Sequence, residues 1–233
     1  MMKRLALLSM MILVAAGGGL ARPAHAGTPF LTDLAIAALT ERLRDGDASV
    51  RQAAVSALRE MGAEAKSAIP ALAELLRDRD EYVAIDASHT LERMGADAAP
   101  SLAELLRDED PRVRELAVRT LRKIGPEAKA AIPALTERLR DRDVSVRQAA
   151  AFALREMGPE AKAAIPALAE LLRDRDRYVA IDASHTLERM GSEAVPSLVP
   201  LLRDREPRVR ELAVLTLRQI GSEAVSGDSK DRR

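Results

Sequence analysis

The chain has no cysteine and no tryptophan, and only two tyrosines and two phenylalanines among its 233 residues. Without cysteine it can form no disulfide and offers no thiolate to a metal, a lipid or a substrate, so packing alone must hold it together. Scarce aromatics remove the stacking platform on which single-stranded nucleic acid is usually held. The charge balance, 36 basic against 36 acidic residues, supplies no positive field for a phosphate backbone. Histidine occurs three times, which leaves few places for acid–base chemistry or metal ligation. Long hydrophobic runs are also missing, apart from Leu5 to Ala16.

That run is preceded by Lys3 and Arg4 and interrupted by Gly17, Gly18, Gly19 and Arg22 before it reaches the ~20 residues of a spanning helix. Ala24-His25-Ala26 then places small residues at −3 and −1 of a cleavage site. Residues 1–26 are therefore expected to be a cleaved signal peptide, and the protein to be exported, periplasmic or secreted, with no stable membrane span after cleavage. The mature chain keeps 33 basic and 36 acidic residues, which argues against nucleic acid as a partner.

What is present is repetition. A closing glycine recurs at Gly62, Gly95, Gly125, Gly158, Gly191 and Gly221, at spacings of 33, 30, 33, 33 and 30 residues. A period of this length indicates a solenoid of stacked supersecondary units. A longer period of 96 residues overlies it: residues 38–125 and 134–221 are identical at 72 of 88 positions, so a block of three repeats was duplicated. The array is expected over residues 27–225, in six repeats at about 31–69, 70–99, 100–132, 133–165, 166–195 and 196–225. Residues 226–233 read as a disordered tail.

Each repeat predicts two helices. In the fourth, Pro133 suits a first helical turn, and Leu135 and Leu139 share one face. Asp143 is placed to cap the second helix, as Asp47, Asp80, Asp110 and Asp176 are in their repeats. Val146, Ala150, Leu154 and Met157 then form an apolar stripe that stops at Gly158, where a left-handed residue is expected. Pro200 lies within the first helix of repeat six and predicts a kinked or late helix.

With these residues the copies resemble HEAT repeats, in the short form also found in the phycobilisome-lyase type of bacterial HEAT protein. The resemblance implies an all-α fold, a right-handed α-α superhelix with about six helix pairs, whose second helices line a concave face that commonly holds another protein. It also implies a ladder of aspartate and arginine linking neighbouring repeats, here Asp45 and Arg51, Asp108 and Arg114, Asp141 and Arg147, and Asp204 and Arg210. Repeats two and five place Ala84 and Ala180 at the arginine position, so the ladder is expected to be interrupted there. The resemblance does not imply an enzyme, and bilin attachment fits poorly with export.

Those two repeats share the sequence Tyr-Val-Ala-Ile-Asp-Ala-Ser-His-Thr-Leu-Glu-Arg-Met-Gly, from Tyr82 and from Tyr178. Asp86 and Asp182 stand where other repeats have a small apolar residue, near the helix seam. There a carboxylate needs a partner, which His89 or Thr90, and His185 or Thr186, could supply. The simplest role for this cluster is structural, replacing the missing arginine. A metal or small-ligand site at the Asp-Ser-His repeats is the alternative, opposed by the three-repeat separation of the two histidines and by the lack of His-Glu pairs. A hydrolytic triad of Asp86, Ser88 and His89 is opposed by helix geometry, because adjacent residues point about 100° apart. A third reading makes Tyr82, Ile85, Ser88, His89 and Glu92, with Tyr178, Ile181, Ser184, His185 and Glu188, two similar patches that grip a partner protein.

Repeat six lacks a polar cap. Its stripe Val209, Ala213, Leu217 and Ile220, with Leu215 in place of Arg119, predicts weak self-association through the C-terminal end. The sequence therefore points to an exported, non-enzymatic scaffold with no cofactor, binding another protein.

Overall fold

The computed structural model describes residues 28–228; the expected signal peptide and residues 229–233 lie outside the described residues. The first helices of the six repeats are α1 (Thr28–Arg42), α3 (Ile69–Glu74), α5 (Ala99–Leu105), α7 (Ile132–Arg138), α9 (Ile165–Leu171) and α11 (Val195–Leu198). The second helices are α2 (Ala48–Met61), α4 (Glu81–Met94), α6 (Pro111–Ile124), α8 (Val144–Met157), α10 (Arg177–Met190) and α12 (Pro207–Asp228). The described residues contain no strand.

Second helices begin where the sequence places their caps. The carboxylates of Asp47, Asp110 and Asp143 accept from the N–H two residues on, and those of Asp80 and Asp176 accept from two successive N–H groups. These bonds satisfy donors that the first turn leaves orphaned. Five second helices end at a glycine with φ between 59° and 73°. Gly158 has φ 60° and ψ −135°, which lies in the mirror image of the extended region and not in the expected left-handed helical region. A side chain would be strained there, and glycine is not. Gly221 differs: it has no positive φ, and α12 runs through it to Asp228. The last turn of that helix includes residues 226–228, where the sequence suggested a tail.

The two repeat lengths have one cause. After the first five closing glycines the chain enters a 3₁₀ link, which has seven residues in Gly62–Ala68, Gly125–Ala131 and Gly158–Ala164 but four in Gly95–Ala98 and Gly191–Ala194. Each long link is broken by a non-helical residue, Ala65, Ala128 or Ala161, and adds three residues after that break. Ala65 and Ala68 are both fully buried, as are Ala161 and Ala164. The longer link thus adds three residues and one more buried alanine.

Contacts divide the chain into two compact units, one ending at Ser101 and the other beginning at Leu102. In the first, α2 packs on α1 and α4, and Leu58, Leu72 and Leu91 form the centre. In the second, α6, α8, α10 and α12 pack side by side in chain order around Leu121, Leu154 and Met157. First helices also meet the 3₁₀ link that leads into the following repeat, as α7 and α9 do. An alanine recurs at the same place on each second helix, Ala54, Ala87, Ala117, Ala150, Ala183 and Ala213, and all six are buried. Where second helices pack side by side within a unit, as α6, α8, α10 and α12 do, so small a side chain lets them approach. In repeat six, α11 is only four residues long and passes into a 3₁₀ segment, Val199–Arg203, because Pro200 has no N–H to continue the helix.

Candidate functional site

The aspartate–arginine ladder is present, with a more specific wiring than sequence spacing suggests. Arg51 donates from Nη1 to the carbonyls of Asp45 and Gly46 in its own turn, at 2.8 and 3.2 Å. Its Nε and Nη2 then grip both carboxylate oxygens of Asp78 in the next repeat, each at 2.7 Å. Arg114 does the same with Asp108, Glu109 and Asp141, and Arg147 with Asp141, Arg142 and Asp174. Each receiving aspartate also accepts the N–H two residues on, which fixes its orientation. These fork-to-fork pairs raise the Arg51 and Arg114 guanidinium groups above their ordinary range, chiefly through the hydrogen bonds to Asp78 and Asp141.

The gap at Ala180 is bridged. Arg173, on the turn after α9, donates from Nε to Asp204 at 2.7 Å while holding Glu170 at 2.9 Å, so it takes over the rung. Arg210 keeps its intra-turn bonds to the Asp204 and Arg205 carbonyls, at 2.9 and 3.1 Å.

In the Asp-Ser-His repeats the three side chains diverge. Asp86 is half-buried and accepts from Gln52 of the preceding second helix at 3.2 Å, with Arg59 at 3.9 Å. Asp182 accepts from Gln148 at 2.9 Å. Thr90 and Thr186 do not serve these carboxylates as expected. They donate to the Asp86 and Asp182 backbone carbonyls, at 2.8 and 2.7 Å, the usual back-bond of a helical threonine. Ser88 and Ser184 are buried and do not belong to the exposed patches. Ser184 shares a 2.7 Å hydroxyl bond with Thr216 on α12. His89 and His185 point to solvent.

What remains is one stripe on each helix, exposed at its tyrosine and histidine and half-buried at its isoleucine and glutamate. Tyr82 leads it, with Ile85, His89 and Glu92 at i+3, i+7 and i+10, and Tyr178, Ile181, His185 and Glu188 repeat it. The tyrosines are 73% and 69% exposed. Each is tied to its helix start through the cap, since its N–H donates to Asp80 or Asp176 at 2.9 or 2.8 Å. The duplicated patches have unlike borders. Beside the first, Arg59 faces Asp86; beside the second, Phe152 replaces Ser56 and Arg155 lies over its ring, 4.4 Å from the centroid.

Sequence reasoning missed Gln52 and Gln148 as partners of the two aspartates. The signal was available, since both glutamines precede their aspartate by 34 residues and are themselves 96 residues apart. Arg173 as the bridging rung had no comparable signal, because arginine at that position is common to every repeat.

Helix pairs joined by buried alanine seams and an inter-repeat aspartate–arginine ladder define an α-α solenoid of the HEAT and armadillo kind. The HEAT repeats family matches residues 36–122, 69–155, 99–187 and 165–226, and the chain belongs to that family. No curated protein matches it. Among solved structures, it is similar to a chain from work on TOG–tubulin binding specificity, at 16% identity over 92% of this chain and 96% of that one, with a TM-score of 0.55. An archaeal HEAT-like repeats protein from Thermococcus onnurineus matches at 17% identity, over 93% and 97% of the two chains, with a TM-score of 0.47. The CpcE–CpcF complex of phycocyanin lyase from Nostoc matches at 24% identity, over 85% and 79%, with a TM-score of 0.49.

Proposed function

We propose that this protein is an exported, non-catalytic HEAT scaffold that holds another protein through the exposed stripes of α4 and α10. The observation that carries this reading is the pair of tyrosines. A chain with four aromatic residues other than histidine leaves two of them more than two-thirds exposed, at equivalent places in both blocks. Tyrosine on a rigid helix start is a low-entropy contact group, and such residues are enriched among those that dominate interfaces. Diversion of Ser88 and Ser184 into the packing, and of Asp86 and Asp182 to neighbouring glutamines, supports recognition over catalysis at these motifs. Two like patches on one scaffold suit a partner that is itself repeated or dimeric, since linked sites multiply affinity.

The test uses the chain as bait in the envelope extract of its host, beside Tyr82→Ala, Tyr178→Ala and the double variant, with circular dichroism confirming an unchanged fold. A partner held by the parent, weakened by each single change and lost in the double variant is the expected result. Equal retention by all four proteins would overturn the assignment of these stripes.

A further inference from the structure

The end of the array presents a surface that the molecule elsewhere covers. Val214 is 44% exposed, whereas Val118, the same residue one block earlier, is fully buried against the next repeat. Leu202 is 37% exposed and its counterpart Leu106 is fully buried. Leu217 is half-buried and its counterpart Leu121 is fully buried. The residues expected to form a sticky stripe, Val209, Ala213 and Ile220, instead face inward and are buried where α12 packs on α10. The open face is the adjacent one.

The first repeat shows the complementary deficit. Val50, Ala57 and Met61 are only half-buried, while their counterparts Val146, Ala153 and Met157 are at most 1% exposed under α6. Asp45 is exposed, while Asp141 is buried beneath Arg114.

We propose that these two faces bind each other, so that the C-terminal repeat of one copy seats the first repeat of a second copy in the register of the internal junction between repeats three and four. The 96-residue period makes the proposed contact a repetition of a junction already formed. Arg114 with Asp141 becomes Arg210 with Asp45 of the second copy. Glu115, which accepts from Ser145 at 2.8 Å, becomes Glu211 with Ser49. Arg107, which meets Glu137 at 3.4 Å, becomes Arg203 with Glu41. Every residue in these pairs is identical between the blocks.

Both halves of the principal rung are already set. Arg210 is held by two carbonyls through Nη1, as Arg114 is, and its Nε and Nη2 have no partner among the described residues. Asp45 accepts the Asp47 N–H at 2.9 Å through Oδ1, as Asp141 accepts that of Asp143, and its Oδ2 has no partner among the described residues. Preorganised groups lose little freedom on pairing. The contact is heterologous, so association continues past the dimer, into an open chain or a closed ring.

The test is sedimentation velocity of the mature chain, residues 27–233, over a hundredfold concentration range, with circular dichroism and melting as fold controls. The variants are Arg210→Glu, Asp45→Arg, the two combined, and Val214→Asp, which leaves Asp45 and its turn intact. The parent should associate beyond dimers, and less so at high salt. Arg210→Glu and Val214→Asp should each weaken association by about tenfold or more. The combined charge swap should recover it, since the swapped residues meet only between copies. A parent that stays monomeric throughout would overturn the proposal. Association indifferent to Arg210→Glu and Val214→Asp, or not recovered by the charge swap, would do so equally.

Discussion

Arg114 and Asp141 show what a single rung contributes. Their side chains are 11% and 3% exposed, so removing the arginine leaves a carboxylate in a site built for an ion pair. Arg138, 3.3 Å from the same carboxylate, compensates in part. Arg114→Ala is expected to cost about 2 to 3 kcal/mol in urea unfolding, against less than about 1 kcal/mol for Lys66→Ala, whose bridge to Asp97 is half exposed. Burial pushes the Asp141 carboxyl up, but hydrogen bonds from Arg114 and from the Asp143 N–H outweigh it and hold the group below the usual carboxylate range. Its contribution to stability is therefore complete above the ordinary aspartate value of about 3.9 and is lost as pH falls through the depressed native value. Urea midpoints followed downward from about pH 6 should fall more steeply in the parent than in Asp141→Asn. Glycine gives a second contrast at this scale. A Cβ at Gly158 would meet nothing within 4 Å, so Gly158→Ala isolates backbone strain and should destabilise by about 1 to 3 kcal/mol. Gly221 lies inside α12 with no positive φ and equal room, so Gly221→Ala should stabilise by about 0.5 to 1 kcal/mol. Opposite shifts in melting temperature would establish that the two glycines, alike in the repeat pattern, do different work.

At the level of elements, the 3₁₀ links set the spacing of the repeats. The short links read Gly-x-acid-Ala, and the long ones continue with Lys-x-Ala before the next helix. Deleting residues 162–164 returns a long link to the four-residue form used at Gly191–Ala194, so α9 should keep its packing against α10. Deleting only residues 162 and 163 matches neither link length, so α9 should lose its register, and Leu168 and Leu172 their buried places. Thermal unfolding followed by circular dichroism separates the two outcomes: a sharp transition at modestly reduced temperature for the triple deletion, a broadened one for the double. Both deletions also lose the half-exposed bridge between Lys162 and Glu193, a minor term.

For the whole molecule, duplication of a 96-residue block has two separate consequences. It copies the tyrosine stripe, which favours a partner able to engage two sites. It also gives the last repeat a surface matched to the first, because an internal junction and a junction between copies are then the same set of residues. The two proposals are tested by different residues, Tyr82 and Tyr178 in one case and Arg210 and Val214 in the other, so either can fail alone.

Sequence alone determined the repeat period, the two helices in each repeat, their aspartate caps and the interruption at Pro200, because caps, glycines and apolar periodicity are local signals. It also identified the stripe from Tyr82 to Glu92 and its copy. Tertiary structure decided which members of those motifs face water. Ser88 and Ser184 are buried against neighbouring helices, and the threonines bond their own helix backbone. The wiring of the ladder likewise depends on contacts 27 to 31 residues apart, including Arg173 replacing the rung missing at Ala180. Such contacts form only once repeats are stacked, since a side chain's partner on the next helix is set by the distance between two backbones and not by its own position in the repeat.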